Sequence, residues 1–169
     1  PNYVYALDLN TDGVIKWEFR PDMNVEVATQ MTCCGGQTRG IYYAEGKLFY
    51  ATLDGQVFGL DAATGEALWR TVGTNISYGE GMASNGLVAG NLFIVGNEGG
   101  ERGARGKVHA YDSNAGNLQW VMYDMGPDNE VGITPAYRAF YPDNQTSLAT
   151  WYGDSWRRGG GTVWGYYTY

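Results

Sequence analysis

The residues in this 169-residue chain whose types and spacing could do chemistry begin with Cys33-Cys34, its two cysteines, set in the run Met31-Thr32-Cys33-Cys34-Gly35-Gly36. Cα atoms across one trans peptide sit about 3.8 Å apart. That is short of the usual span of a disulfide, so a bridge between these neighbours would close a small, strained ring. The residues alone leave two states open: that ring, or two reduced thiols packed as small hydrophobes. Three more stretches are richer in special residues than packing requires. They are Gly96 to Gly106, with Glu98, Glu101, Arg102 and Arg105; Thr150 to Trp156; and Gly159-Gly160-Gly161-Thr162-Val163-Trp164-Gly165.

These stretches must be positioned by a scaffold, and the scaffold is repetitive. Val4-Tyr5-Ala6-Leu7-Asp8, Val57-Phe58-Gly59-Leu60-Asp61 and Val108-His109-Ala110-Tyr111-Asp112 align, and each leads through a turn to Trp17, Trp69 or Trp120. The aspartates are 53 and 51 positions apart and the tryptophans 52 and 51, so two independent markers give one period. Short strands and Gly-containing turns repeating at this length are the signature of propeller blades. Four strand-like runs, Gly40 to Ala44, Lys47 to Leu53, Gln56 to Asp61 and Ala67 to Thr71, predict one antiparallel blade within 38–72. Asp54-Gly55 is the chemistry of a two-residue hairpin turn. Gly86 to Ala89, Leu92 to Gly96, Lys107 to Asp112 and Leu118 to Met122 predict a second blade within 82–123.

Residues 1–20 are expected to supply the end of another blade, 124–160 an insertion loop containing Pro127, Pro135 and Pro142, and 161–169 the start of the next. The tryptophans are expected to anchor neighbouring blades as large apolar plates. His109, the sole histidine, takes the repeat position of Tyr5 and Phe58 and is expected to be a strand residue, not a proton shuttle. The fold class is therefore all-β, a partial β-propeller. An open arc leaves faces and edges exposed, so the chain is expected to be a piece of a larger propeller and, produced alone, to aggregate or bind hydrophobic dye. Its opening at Pro1 and its ending in an aromatic run fit that expectation.

Composition agrees. Twenty-six glycines and 15% aromatic residues favour strands and tight turns over helix. A net charge of −7 without a basic patch excludes nucleic acid as a partner. No apolar run approaches the ~20 residues a membrane span requires.

The vicinal cysteines followed by Arg39-Gly40, the run Gly100-Glu101-Arg102-Gly103-Ala104-Arg105-Gly106, the Gly-Gly-Gly-Thr-x-Trp-Gly run and blade motifs such as Asp61-Ala62-Ala63-Thr64-Gly65-Glu66-Ala67-Leu68-Trp69 resemble the quinoprotein alcohol dehydrogenases of the methanol dehydrogenase type. The resemblance covers nearly the whole chain. It implies an eight-bladed propeller holding pyrroloquinoline quinone near its axis. By it, Cys33 and Cys34 form a vicinal disulfide walling one face of the cofactor, Trp164 stacks on the other, and Arg39 and Thr162 contact the cofactor. Glu101 ligates the metal, calcium or a lanthanide. Two positions depart from the family: Ala83, beside Ser84, stands where a cofactor-contacting threonine is expected, and Glu98 where many members carry serine. A carboxylate near an anionic quinone is repulsive, so Glu98 must turn away or the contacts must differ.

The resemblance further implies oxidation of a primary alcohol to an aldehyde, with electrons passed to cytochrome c. The catalytic aspartate and an asparagine metal ligand are expected beyond Tyr169. A periplasmic homo-oligomer or dimer is the implied setting, because a disulfide needs an oxidising compartment. Two other readings share the repeats: a quinohaemoprotein or broader alcohol dehydrogenase, and a non-catalytic propeller such as an outer-membrane assembly scaffold. The scaffold has no use for the cysteine pair, Glu101 and Trp164 together.

Overall fold

The computed structural model describes residues 2–33, 36–134 and 146–169. Cys34, Pro135 and Pro142 lie outside the described residues. Among the described residues, ten strands make three antiparallel sheets in chain order, and one short α-helix lies between the first two. Strands β1 (Val4–Asp8) and β2 (Val14–Phe19) pair as a hairpin. The next sheet is a meander of β3 (Tyr42–Ala44), β4 (Lys47–Ala51), β5 (Gln56–Asp61) and β6 (Ala67–Val72). The third repeats it with β7 (Leu87–Ala89), β8 (Leu92–Gly96), β9 (Lys107–Asp112) and β10 (Leu118–Tyr123).

The sheets stack face to face, so their middle strands are covered on both sides. In β5 and β9 nearly every residue is buried, whereas β10 is largely exposed. Phe49, Ala51, Val57 and Trp69 of one sheet pack against Phe93, Val95 and Tyr111 of the next, with Met82 between them. Phe49 stacks on Phe93 at 5.2 Å between ring centroids. Tyr50, Phe58 and Leu60 pack in turn on Val4 and Phe19 of the hairpin. Each fully buried side chain of this size contributes about 1.5–3 kcal/mol, so face-to-face stacking is the main source of cohesion.

Trp17 and Trp69 join the sheets as anchors, whereas Trp120, on β10, is 39% exposed. Trp17 donates its indole N–H to Ala62 O at 3.2 Å, and Trp69 does the same to Ser113 O at 3.1 Å. Each ring lies on the glycine of the next sheet's turn: a Cβ at Gly65 would come within 2.5 Å of Trp17, and one at Gly116 within 2.5 Å of Trp69. The repeating aspartates fix the same turns. Asp61 Oδ1 accepts from the backbone N–H groups of Ala63 and Thr64, and Asp112 Oδ1 from those of Asn114 and Ala115. This is the Asx-turn geometry.

Two local expectations change. The turn after β4 holds three residues, Leu53-Asp54-Gly55, because Thr52 and Gln56 still pair across it, and Gly55 (φ +85°) supplies the left-handed position. Residues 161–169 carry no strand; Val163 and Tyr167 lie beside Gly96 of β8 in the second four-stranded sheet. The sequence also contains a helix, α1 (Val25–Met31), that its composition did not signal.

Candidate functional site

Helix α1 delivers Cys33. Asn24 caps the helix by accepting from Val27 N–H, and Ala28 anchors it in a small core with Leu53 and Ala83. Thr32 closes the last turn with both its backbone N–H and its hydroxyl on Ala28 O. Cys33 follows at once, and no cysteine among the described residues is free. Asn2 ties this segment to the turn after β4: its side chain donates to Gly36 O and accepts from Leu53 N–H.

Glu101 sits in a 3-10 turn, Gly100–Arg102, bounded by left-handed Gly99 and Gly103. Its neighbour Arg102 donates to Gln30 O (3.1 Å) and Thr32 O (3.2 Å), which joins the Glu101 turn to the chain just before Cys33. Arg105 points the other way. Its guanidinium lies between Tyr123 (3.7 Å) and Trp156 (4.6 Å) and pairs with Glu130, so it braces the loop. Trp156 is buried and Asp154 exposed, with an ion pair from Asp154 to Arg157.

The glycine run 159–161 docks backbone to backbone on this loop. Gly160 donates to Gly100 O and Gly106 to Gly160 O, and a Cβ at Gly106 would stand 2.2 Å from Gly161 O. The close approach carries the chain to Trp164, whose ring lies 4.5 Å from the Arg39 guanidinium. Arg39 is fixed by its own N–H to Ala83 O at 2.7 Å and by Tyr166, whose hydroxyl donates to Arg39 O.

Cys33, Arg39, Glu98, Glu101 and Trp164 therefore line one cavity of about 190 Å³. A second, of about 280 Å³, shares Cys33, Arg39 and Glu98 and adds Gln37, Thr38, Ala83 and Tyr166. Thr162 is half-buried and lines neither cavity. Glu101 keeps its side chain 58% exposed, with Arg102 Nε 3.8 Å away. Glu98 is buried, and Oε1 finds no hydrogen-bond partner. Burial, followed by the charge of Glu101, pushes its carboxyl up to about 7 against the opposing pull of Arg39 and Arg102. A flat ligand carrying carboxylates fits these walls: a sulfur and an indole for its faces, a guanidinium for its charge, and an oxygen donor for a hard cation. His109 is buried in β9, stacked on Tyr111, and lines neither cavity.

The PQQ_2 family model, described as outer membrane protein assembly factor BamB, matches residues 2–153. The chain belongs to the PQQ_2 family. Within it, the chain is 43% identical over its whole length to a lanthanide-dependent methanol dehydrogenase of Methylacidiphilum fumariolicum (strain SolV). It is 37% identical to methanol dehydrogenase (cytochrome c) subunit 1 of Paracoccus denitrificans. It spans 28% of the length of each of these relatives. A solved europium-containing methanol dehydrogenase superposes on 99% of the chain with a TM-score of 0.90 at 41% identity, and the match covers 30% of that structure. The fold is thus a partial β-propeller, as the repeat predicts. No helix of the described residues is long and apolar enough to cross a membrane.

Sequence reasoning missed Asn2, a structural partner of the site, and marked Arg102 without its contacts to the cysteine segment. Asn2 carries no motif, and its role depends on a partner 51 positions away. Arg102 flanks Glu101 in sequence, but its reach to α1 depends on how the sheets stack.

Proposed function

We propose that this chain is an arc of an eight-bladed quinoprotein dehydrogenase that oxidises methanol or another primary alcohol to the aldehyde, with pyrroloquinoline quinone and a metal ion, passing electrons to cytochrome c. The observation that carries the reading is the convergence of Cys33, Arg39, Glu101 and Trp164, from three separate stretches of chain, on one cavity. A repeat scaffold has no need of that convergence.

In this reading Cys33 and Cys34 form a vicinal disulfide against one face of the cofactor, which the lack of a free cysteine among the described residues supports. Trp164 stacks on the other face. Arg39 leaves the indole far enough to pair with a cofactor carboxylate, and Thr162 adds a hydroxyl from the C-terminal segment that carries Trp164. Glu101, exposed at the cavity, is one oxygen ligand of the metal. A lanthanide is favoured over calcium by the names of the relative at 43% identity and of the europium-containing structure. When bound, the quinone and metal supply the hydride acceptor and the Lewis acid. The base that takes the alcohol proton and the remaining metal ligands lie outside 1–169. The disulfide calls for an oxidising compartment, the periplasm, where cytochrome c partners and a homo-oligomeric assembly are expected.

The family description names an assembly factor, and that favours a second reading, a non-catalytic scaffold. Reconstitution of the full-length protein with quinone and either calcium or a lanthanide, followed by a dye-linked alcohol assay, separates the two. Activity with loss in Glu101→Ala supports the enzyme; absence of both quinone absorbance and activity supports the scaffold.

A further inference from the structure

Glu101 reaches the cavity from a lightly held position. Its side chain is 58% exposed, and left-handed Gly99 and Gly103 bound the turn that carries it. A glutamate so placed gives up rotamer freedom when it takes an ion, unless something has already fixed it. The cation set beside it is Arg102, with Nε 3.8 Å from Glu101 Oε1. Arg105, in the same loop, is committed to Tyr123, Trp156 and Glu130.

Arg102 is itself gripped at its far end. Nη1 donates to Gln30 O at 3.1 Å and Nη2 to Thr32 O at 3.2 Å, so both terminal nitrogens of the planar fork are tied to main chain. A guanidinium held at two points keeps its orientation, and the Nε edge stays turned to Glu101. The stem is seated too. A Cβ at Gly79 (φ +74°) would stand 3.1 Å from Arg102 Cβ, and one at Gly99 only 1.8 Å from Gly79 O, so these two glycines let the Glu101 turn dock on the 79 loop. At the other end, Thr32 is buried, closes α1 through its hydroxyl on Ala28 O, and is followed directly by Cys33. Arg102 is thus anchored one residue from the cysteine that shares the cavity with Glu101, while lining neither cavity itself.

We infer that Arg102 is the positioning residue of the metal ligand: clamped on Gln30 O and Thr32 O, it holds Oε1 of Glu101 and sets the carboxylate in a fixed place relative to Cys33 before a cation arrives. That role rests on the reading of Glu101 as a metal ligand given above. Two effects of Arg102 oppose each other. Its charge beside the carboxylate repels an incoming cation, whereas its grip removes in advance the freedom that the carboxylate would lose on binding. Outer-shell partners of metal ligands typically carry about 10–100-fold in metal affinity, and here the grip outweighs the charge. The sign of the change in Arg102→Ala therefore discriminates between them.

Europium luminescence titration of the full-length protein, freed of metal, tests this; the titration reads affinity, and the decay in H2O against D2O reads the number of coordinated waters. Arg102→Ala is expected to weaken europium binding by about tenfold and to raise the number of bound waters, because an unheld Glu101 yields its place. Arg102→Lys keeps the charge but loses the two-point grip, and should weaken binding by about threefold or more. Unchanged affinity and hydration in Arg102→Ala, even with a lowered Tm, would make Arg102 a brace of the loop and overturn the role. Tighter binding in Arg102→Ala, or wild-type affinity in Arg102→Lys, would show that Glu101 feels the charge and not the grip, and overturns it as well. Should Arg102→Ala fail to fold, Arg102→Lys decides by the same titration. A wild type that binds no europium, or full affinity in Glu101→Ala, overturns the metal reading and this role together.

Discussion

Replacing Gly116 with alanine tests the joint between the sheets, and Gly46 supplies the control. Both glycines have nearly the same left-handed backbone, φ +73° at Gly116 and +76° at Gly46. Forcing an alanine there costs about 1–2 kcal/mol, offset by about 0.4–1 kcal/mol of unfolded-state entropy. Gly46→Ala meets nothing within 4 Å, so its net cost is about 1 kcal/mol. At Gly116 the new methyl would stand 2.5 Å from Trp69 Cε3. Carbon atoms settle at about 3.5–4.0 Å, so the indole must retreat by about 1 Å. Overpacking of that kind costs about 1–3 kcal/mol, and losing the Trp69 N–H bond to Ser113 O about 1 kcal/mol more. Gly116→Ala should therefore exceed Gly46→Ala by about 2–4 kcal/mol.

Denaturant unfolding followed by tryptophan emission reads both variants. In a Trp69→Ala background the Gly116→Ala cost should shrink toward that of Gly46→Ala, because the clash is gone. If the two glycine variants differ by less than about 0.5 kcal/mol in the parent protein, the indole does not dock on this turn and the account of sheet joining fails.

Titration of the folded protein with a thiol reagent should detect no free cysteine, and reaction of one or two thiols before reduction would show the pair reduced. Arg102→Ala, which removes two hydrogen bonds to Gln30 O and Thr32 O, should cost about 1–3 kcal/mol of local stability and speed amide exchange around residues 30–33; unchanged exchange would detach the Glu101 turn from the cysteine segment. Burial, and then Lys107, hold His109 down to about 4, below its ordinary value of about 6.5. The folded state thus binds fewer protons than the unfolded chain between those values, and the stability from neutral His109 is present above pH 6.5 and lost as pH falls toward 4. His109→Phe should remove that part of the acid slope; an unaltered slope would mean that His109 is not enclosed. The face of β10 leaves Leu118, Trp120, Val121 and Met122 between 36% and 51% exposed, so the isolated chain should bind a hydrophobic dye, and Leu118→Lys with Met122→Lys should reduce the signal. No dye binding by the isolated chain would show that face to be covered.

The scaffold was legible because its determinants are local and repeated. Asp61 and Asp112 each cap a turn two and three residues ahead, and strand alternation needs only the neighbouring residues. Strand ends moved by a residue or two where turns intervene, as at β4, which stops at Ala51 so that Thr52 can pair with Gln56 across the turn. Helix α1 was not legible. Seven residues containing two valines and a threonine give too short a stretch for a 3.6-residue period and too weak a propensity. It exists because Ala28 finds a core with Leu53 and Ala83.

The site stands between these cases. Motifs marked Cys33, Arg39, Glu101 and Trp164 one by one, and stacking then brought all four to one cavity, while Thr162, marked by the same run as Trp164, stayed outside its lining. The difference lies in the geometry of an extended segment. Successive side chains point to opposite faces, but Thr162 and Trp164 are two apart, so a regular strand would present both to the same side. The segment is not a regular strand: it leaves the left-handed Gly161 (φ +60°) and makes no ladder of its own. Its direction is set by backbone docking of 159–161 on the Glu101 loop, and that docking is a property of two chain stretches some sixty residues apart. A motif records which residues a site uses; where each one points is decided by the partner its backbone rests on.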